Sequence, residues 1–268
     1  MQELAIFLFV LSVSRYQKPY LSASDQLAQL VERGIIVTNE SQALGYLKQI
    51  NYYRLSAYWY PFRAQKQSIL QDHFKPDTYF QTVIDLYLFD KKLRLLTLDA
   101  LESIEVALRT AVVFQIGQYD PWAYRDPTYL NDKFVKDDKH ELWLQQLDAK
   151  VKQSKESFVE HFRLKYPSSD IPIWIAVELL DFGSLSIFLS GMRSVDQYQI
   201  ASQYGIPRPD LLVSWVRTLS FVRNVCAHHA RLWNKLLVIQ PKKLHLLEIK
   251  ELDHLSSNSY KKFWLFSI

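Results

Sequence analysis

The residues best suited to chemistry are six consecutive ones near the end of the last predicted helix, Arg223-Asn224-Val225-Cys226-Ala227-His228. Asn224 and His228 are four residues apart, so on a helix their side chains share one face. Arg223 lies one step round, and its long side chain can bend a guanidinium toward that face. The segment therefore combines a permanent cation, an amide and an imidazole, a group that changes its protonation near neutral pH.

This set of groups fits the cleavage of RNA without a metal ion. The ribose 2′-hydroxyl attacks the adjacent phosphate while the 5′-oxygen leaves, so the reaction needs a base and an acid, and imidazole can be either. A forked guanidinium stabilises the negative charge that builds on the phosphoryl oxygens. We therefore expect Arg223, Asn224 and His228 to be catalytic. One chain offers one such set, so two copies facing each other in a homodimer would supply both proton carriers more readily.

The same residues also have a structural interpretation. Arg and His side chains near a helix end can simply cap the helix or bridge to neighbours, and the motif alone does not decide between the two. A metal site is not expected, although Cys226, His228 and His229 are close in sequence. Cys226 and His228 point to different helix faces, and the chain has no second cysteine. No cofactor is expected either, because no Gly-rich phosphate-binding loop is present.

The elements that carry these residues are predicted to be helices. The chain has 268 residues and is 49% hydrophobic, but it holds only 6 glycines and 10 prolines, which favours helices over many short strands. An apolar series at three- and four-residue steps predicts one very long helix over residues 77–117. Further helices are predicted over residues 137–165 and 174–182, and from Pro209 to about Leu236. We expect an all-α fold.

These elements suggest four segments along the chain. An N-terminal helical region, residues 18–76, precedes a helical core over residues 77–240, and a tail follows over residues 241–268. Residues 1–17 form an apolar lead that is too short to span a bilayer and lacks the features of a secretory signal. The lead is interpreted as a packed element or a start-site artefact, and no membrane association is expected.

Positive charge is concentrated toward the C-terminal end. Residues 209–250 hold seven Lys and Arg residues against two acids, whereas the whole chain carries a formal net charge of +4. A basic region on a near-neutral body is a plausible footprint for a polyanion such as RNA. The single cysteine excludes an internal disulfide framework and fits the reducing cytoplasm, where we expect the protein to act.

Several other residues are candidates for supporting the site or binding RNA. Glu105 and Arg109 form a favourable pair four residues apart on the long helix, and they are either a solvated salt bridge or groups that orient the catalytic set. His229 is a second imidazole, and Arg231 follows the motif closely. Aromatic residues over 51–60 could stack bases, but at helical spacing the hydrophobic core is favoured. Arg54 among them is the member expected to contact phosphate.

Further short motifs accompany the Arg223–His228 segment along the chain. They are Lys18-Pro19-Tyr20-Leu21, Asn51-Tyr52-Tyr53-Arg54-Leu55-Ser56, Asp90-Lys91-Lys92-Leu93-Arg94, Ile104-Glu105-Val106-Ala107-Leu108-Arg109 and Arg231-Leu232-Trp233-Asn234. In this order they resemble the Abi-like (abortive infection, AbiD/AbiF-type) family of the HEPN superfamily, whose motif is Arg-Asn-x-x-x-His. The resemblance spans about residues 18–234, although the tail lacks the Trp-rich ending usual in that family, which would fit a truncated chain.

The resemblance implies a helical HEPN-like bundle and a metal-independent endoribonuclease that limits phage infection. It also implies that Glu105 or Arg109 orients Arg223 or His228, or contacts RNA. An antitoxin or a regulatory RNA that holds off cleavage is a further candidate partner. A non-catalytic HEPN module that binds RNA or protein in a defence or toxin–antitoxin pair is the alternative. A helical scaffold whose motif is incidental is a third interpretation.

Overall fold

A computed structural model describes residues 19–66, 69–245 and 249 of the chain. It is 66% helical, with eleven α-helices and one two-stranded sheet among the described residues, which confirms the predicted all-α class. The helices are α1 (Ala23–Glu32), α2 (Glu40–Ile50), α3 (Tyr52–Trp59), α4 (Phe80–Gly117), α5 (Asp132–Lys136), α6 (Lys139–Gln153), α7 (Ser157–Lys165), α8 (Ile173–Ala176), α9 (Phe182–Gly191), α10 (Ser194–Gln203) and α11 (Pro209–Ala227).

Two features predicted at the chain ends lie largely outside the described residues. These are the apolar lead over residues 1–17 and most of the tail over residues 241–268. Among the residues that are described, no helix combines the length and apolar character needed to cross a membrane.

The chain divides into two compact units, with the boundary between Leu88 and Phe89. In the first unit, Ser22 caps α1 through a reciprocal capping box with Asp25. The buried core of this unit is formed by side chains of α1, α2, α3 and the first turns of α4. It includes Tyr58 and Trp59, as the core interpretation of the aromatic segment predicted.

The first unit also contains an antiparallel hairpin that was not predicted. Its strands are β1 (Arg63–Lys66) and β2 (Ile69–Phe74), with an irregular register between Arg63 and Gln65. The strand β1 has the sequence Arg-Ala-Gln-Lys, so it lacks the alternating apolar pattern by which a strand is recognised. An Arg63–Asp72 ion pair joins the two strands.

The long helix predicted over residues 77–117 is present as α4, whose 38 residues extend about 57 Å. Within the second unit it buries a stripe that includes Leu101, Leu108 and Val112. Leu96 and Phe114, which helped to predict the helix, are instead 71% and 72% exposed. The periodicity therefore predicted the helix, but the exposed side of α4 is also apolar.

The single helix predicted over residues 137–165 is wrong. The helix α6 ends at Gln153 and α7 begins at Ser157, with Ser154 in an extended conformation between them. The guanidinium of Arg163 donates to the carbonyls of Val151 and Ser154, so it satisfies acceptors that the break leaves open. This interaction comes from a residue nine positions further on, and helical periodicity does not reveal it.

The helix predicted over residues 174–182, with Gly183 as its stop, is also wrong. The helix α8 is a single turn, a 3₁₀ turn follows over Val177–Leu179, and α9 begins at Phe182. The Asp181 carboxylate accepts the Ser184 N–H at 2.7 Å and so caps α9, which places Gly183 inside its first turn. The helices α9 and α11 then pack against each other in the core of the second unit.

Candidate active site

The helix that carries the catalytic candidates ends earlier than predicted. Instead of continuing to about Leu236, α11 ends at Ala227, with His228 as its C-cap. His229 takes the left-handed conformation at φ 55°. Its backbone N–H donates to the carbonyl of Cys226, and the backbone N–H of Ala230 donates to the carbonyl of Val225. These two bonds form a Schellman motif, which usually has glycine at the left-handed position. The ordinary stop signal is therefore absent from the sequence, which explains the overestimated length.

Arg223 lies in the last turns of α11, where its guanidinium meets one acid and one amide. Its Nε is 3.8 Å from Oε2 of Glu105, and its Nη1 is 3.5 Å from the side-chain oxygen of Asn224. The Glu105 side chain is only 10% exposed, whereas that of Arg223 is 35% exposed. A buried carboxylate thus lies within ion-pair distance of the guanidinium, whose side chain is partly exposed to solvent.

Glu105 is itself held by Arg109, one turn further along α4. Nη2 of Arg109 donates to Oε1 of Glu105 at 2.5 Å and to the Leu180 carbonyl at 2.7 Å. Its Nη1 reaches the Glu178 carboxylate at 3.3 Å. The pair is therefore a bridge between α4 and the segment before α9, and it is not a solvated surface pair. The two carboxylate oxygens of Glu105 contact different arginines, which fixes the carboxylate between them.

A cleft of about 390 Å³ opens over these groups. It is lined by Leu98, Glu102, Glu105, Val106, Arg109 and Arg223. Two arginines and two glutamates balance its formal charge. The Nε atom of Arg109 is buried without a hydrogen-bond partner among the described residues.

His228 lies one turn beyond Asn224. Its backbone N–H donates to the Asn224 carbonyl at 3.0 Å, and its side chain is exposed. Within the described part of the chain, the His228 imidazole makes no hydrogen bond or ion pair, so it does not contact Arg223. His229 is also exposed, and Arg231 is half-buried. The structure thus links Arg223, Asn224, Glu105 and Arg109 through side chains, and it links His228 to them only through the backbone.

Comparison with known proteins identifies the family. The sequence profile of the Abi-like protein family matches residues 45–234, which is 190 of the 268 residues. The chain belongs to the Abi-like protein family. This membership suggests a role in abortive infection, the bacterial defence against phage. No curated protein and no solved structure matches the chain.

The chain segment that follows His228 is fixed by a contact with Asp90 that sequence reasoning missed. The buried carboxylate of Asp90 accepts the backbone N–H of Trp233 at 2.6 Å and that of Leu232 at 3.2 Å, and it pairs with Arg94. This anchor holds the chain that continues from His228 against α4. Asp90 and Arg94 are four residues apart on a helix, and this spacing indicates that they pair. The hydrogen bond between Asp90 and Leu232 joins residues 142 positions apart, and the sequence does not indicate it.

Cys226 is buried, and this burial raises the pKa of its thiol to about 11. It is therefore a neutral core side chain at physiological pH and not a nucleophile. No group of three or more His, Cys, Asp and Glu side chains that could hold a metal ion occurs among the described residues.

Arg54 is an exposed residue of α3 in the first unit. Its neighbours Tyr53 and Tyr60 are also exposed, in contrast to the buried Tyr58 and Trp59. The described contacts of the Arg223 site involve none of these residues.

Proposed function

We propose that this Abi-like protein is a metal-independent endoribonuclease of the HEPN type that acts in the cytoplasm during phage infection. The observation that carries the proposal is the partly exposed guanidinium of Arg223, which pairs with buried Glu105 at 3.8 Å and lines a cleft. A guanidinium fixed in this way suits the stabilisation of charge on a phosphoryl group, because little reorganisation is needed during the reaction. Exposed His228, one turn beyond Asn224, supplies a proton carrier on the same side of the helix end.

The reaction follows from these groups. A base removes the proton of a ribose 2′-hydroxyl, the 2′-oxygen forms a bond to the adjacent phosphorus, and the bond from phosphorus to the 5′-oxygen breaks. An acid then protonates the 5′-oxygen, so the products carry a 2′,3′-cyclic phosphate and a 5′-hydroxyl. His228 is the acid or the base. Arg223 stabilises the charge on the phosphoryl oxygens, and Asn224 orients the reacting groups.

A homodimer would complete the site, because one chain presents a single His228. Beside the cleft, α4 exposes the apolar side chains of Leu95, Leu96, Val106 and Phe114, which are 57% to 72% exposed. They fall within about 100° of one another around the helix and are called the apolar face, although the exposed Asp99, Ser103 and Thr110 lie on the same arc. Val106 belongs to this face and to the lining of the cleft. Burying the face against a second copy would bring the two clefts together.

The dimer is tested by sedimentation and RNA cleavage of Leu96→Glu, beside Leu164→Glu as a matched control. Leu164 is 85% exposed on α7 and does not belong to the apolar face. We expect Leu96→Glu to be monomeric and inactive, whereas Leu164→Glu behaves like the wild type. A monomeric wild type that cleaves RNA would refute the dimer and leave the ribonuclease in place.

The cleavage chemistry is tested with a single-stranded RNA in which one nucleotide at a mapped cleavage position lacks its 2′-hydroxyl. The mechanism predicts that cleavage stops at that position and continues elsewhere, and that each cleavage leaves a 2′,3′-cyclic phosphate on the upstream product and a 5′-hydroxyl on the downstream one. Cleavage that persists after a 2′-deoxy nucleotide would refute transesterification. RNA binding without cleavage would instead favour the alternative of a non-catalytic module, with an antitoxin or a regulatory RNA as its partner.

A further inference from the structure

A second feature of the α-helical core is an elongated groove. Two adjoining cavities in the second unit have volumes of about 690 Å³ and 580 Å³. The residues that line both are Phe134, Lys139, Ser190, Val213 and Arg217. The groove is thus continuous, and it passes α5, the start of α6, α9 and α11.

Basic side chains are spread along this groove. The larger cavity is lined by Lys133, Lys139, Arg217 and Lys242, against the two acids Asp132 and Asp210. A row of cations along a groove is the kind of surface that binds the backbone of a single-stranded nucleic acid. Neither cavity is enclosed, so a chain can reach both from solvent.

Arg217 is the cation that lines both cavities without an ion pair among the described residues, whereas Lys133 lines only the larger cavity. Lys139 pairs with Asp137 at 2.6 Å, and Lys242 pairs with Asp210 at 3.0 Å. Arg217 is exposed at the point where the two cavities meet, and it forms no hydrogen bond or ion pair with any residue that the structure describes. Its planar guanidinium is therefore available to bind a phosphate with two parallel hydrogen bonds.

The wall beside Arg217 is firmly held. The Lys242 N–H donates to the Ser214 hydroxyl at 2.8 Å, and the Trp215 indole donates to the Lys242 carbonyl at 3.0 Å. These bonds pin the segment that follows the candidate active site against α11. The groove is thus a formed surface, so binding there would need little ordering of the protein.

The groove lies on the same side of α11 as Asn224 and His228, whereas Arg223 lies about 120° round the helix from Arg217. Seven residues separate Arg217 from Asn224, about 20° short of two full turns, and four more reach His228. Arg217 is therefore about 16 Å from His228 along the axis of α11, on nearly the same face. A strand whose cleaved phosphate lies at His228 could continue along α11 to Arg217.

We infer that this groove binds the phosphate backbone of the single-stranded RNA substrate, with Arg217 as its principal phosphate contact. The inference rests on the proposed function and extends it by naming a binding surface away from the reacting phosphate. Contacts of this kind position RNA without reading its sequence. The groove should therefore add affinity for long RNA while leaving the choice of cleavage position to the site itself.

The test measures the binding of a labelled single-stranded RNA of about 20 nucleotides, longer than the span of one basic groove. All proteins are full length and carry His228→Ala, so that the RNA stays intact. We expect Arg217→Ala to weaken binding about tenfold, as removal of one charge-assisted hydrogen-bonding group does. The slope of log affinity against log salt should fall by about 0.7 for each phosphate that the variant no longer neutralises. Arg217→Lys keeps the charge but not the forked guanidinium, so its affinity for RNA should lie between those of the parent and Arg217→Ala.

Lys155→Ala is the matched control, because Lys155 is an exposed cation that lines neither cavity. It should change the affinity by less than about twofold, since salt screens charges beyond about 8 Å. Circular dichroism checks that each variant is folded.

Equal RNA affinities of Arg217→Ala, Lys155→Ala and the parent would overturn the inference that the groove binds RNA. RNA cleavage by the wild type would then show that the proposed ribonuclease function still holds. An Arg217-dependent affinity in a protein that never cleaves RNA would support the groove and refute the enzyme. If ATP alone binds in an Arg217-dependent way and displaces the RNA, the groove is a nucleotide pocket and the inference is wrong.

Discussion

Replacement of Asp90 tests the anchor behind the candidate active site. Its carboxylate is fully buried, pairs with the buried guanidinium of Arg94, and accepts the N–H groups of Leu232 and Trp233. In Asp90→Ala the arginine loses this buried partner, which costs about 3–5 kcal/mol. Each backbone N–H that is left without an acceptor lowers the free energy of unfolding by about 1–3 kcal/mol more. Asp90→Asn keeps one acceptor oxygen, so it should lose less.

The free energy of unfolding is measured by urea denaturation, with the slope of the transition compared between variants. Asp99→Ala is the control, because Asp99 is an exposed acid on the same helix and should change stability by less than about 0.5 kcal/mol. The expected order of stability is wild type, Asp90→Asn, then Asp90→Ala. If Asp90→Ala is as stable as Asp99→Ala, the anchor does not hold this segment and our account of the site's support is wrong.

Three further predictions concern packing and the helix end. Gly191→Ala should lose about 1–3 kcal/mol in thermal unfolding because its Cβ would overlap the Phe134 ring, whereas Gly45→Ala, whose Cβ meets nothing, should be neutral or stabilising. Burial raises the pKa of the Cys226 thiol to about 11, so Cys226 should resist thiol reagents at pH 8 until urea unfolds the protein. Rapid labelling of the native protein would contradict this burial. His229→Gly should be about 1 kcal/mol more stable than His229→Ala, since only glycine adopts φ 55° without strain, and equal stabilities would argue against the left-handed helix end.

Local sequence patterns predicted the helices well where one apolar periodicity ran without interruption. The long helix α4 is such a case, since its predicted and observed bounds differ by three residues at one end. Prediction failed where a helix stops without a Gly or Pro signal in the sequence. Arg163 stabilises the break after α6 from nine residues beyond Ser154, and α11 ends with His229 at the left-handed position where glycine is usual.

The candidate site was predictable in part for the same reason. Spacing along one helix brought Asn224 and His228 together, and it paired Glu105 with Arg109. The contact between Glu105 and Arg223 joins two helices more than 100 residues apart in the chain, and a sequence pattern gives no distance for it. The Arg217 groove is assembled from several helices: Arg217 and Lys242 belong to the basic C-terminal region, whereas Lys133 and Lys139 lie outside it.

The most direct test of the central claim is the cleavage of labelled total RNA by the purified wild type in EDTA, beside His228→Ala. The ribonuclease account predicts fragments that end in 2′,3′-cyclic phosphate with the wild type and none with the folded variant. Equal cleavage by both proteins would show that His228 is not catalytic. Absence of cleavage by a folded, dimeric wild type that binds RNA would contradict the enzyme and leave an RNA-binding Abi-like protein.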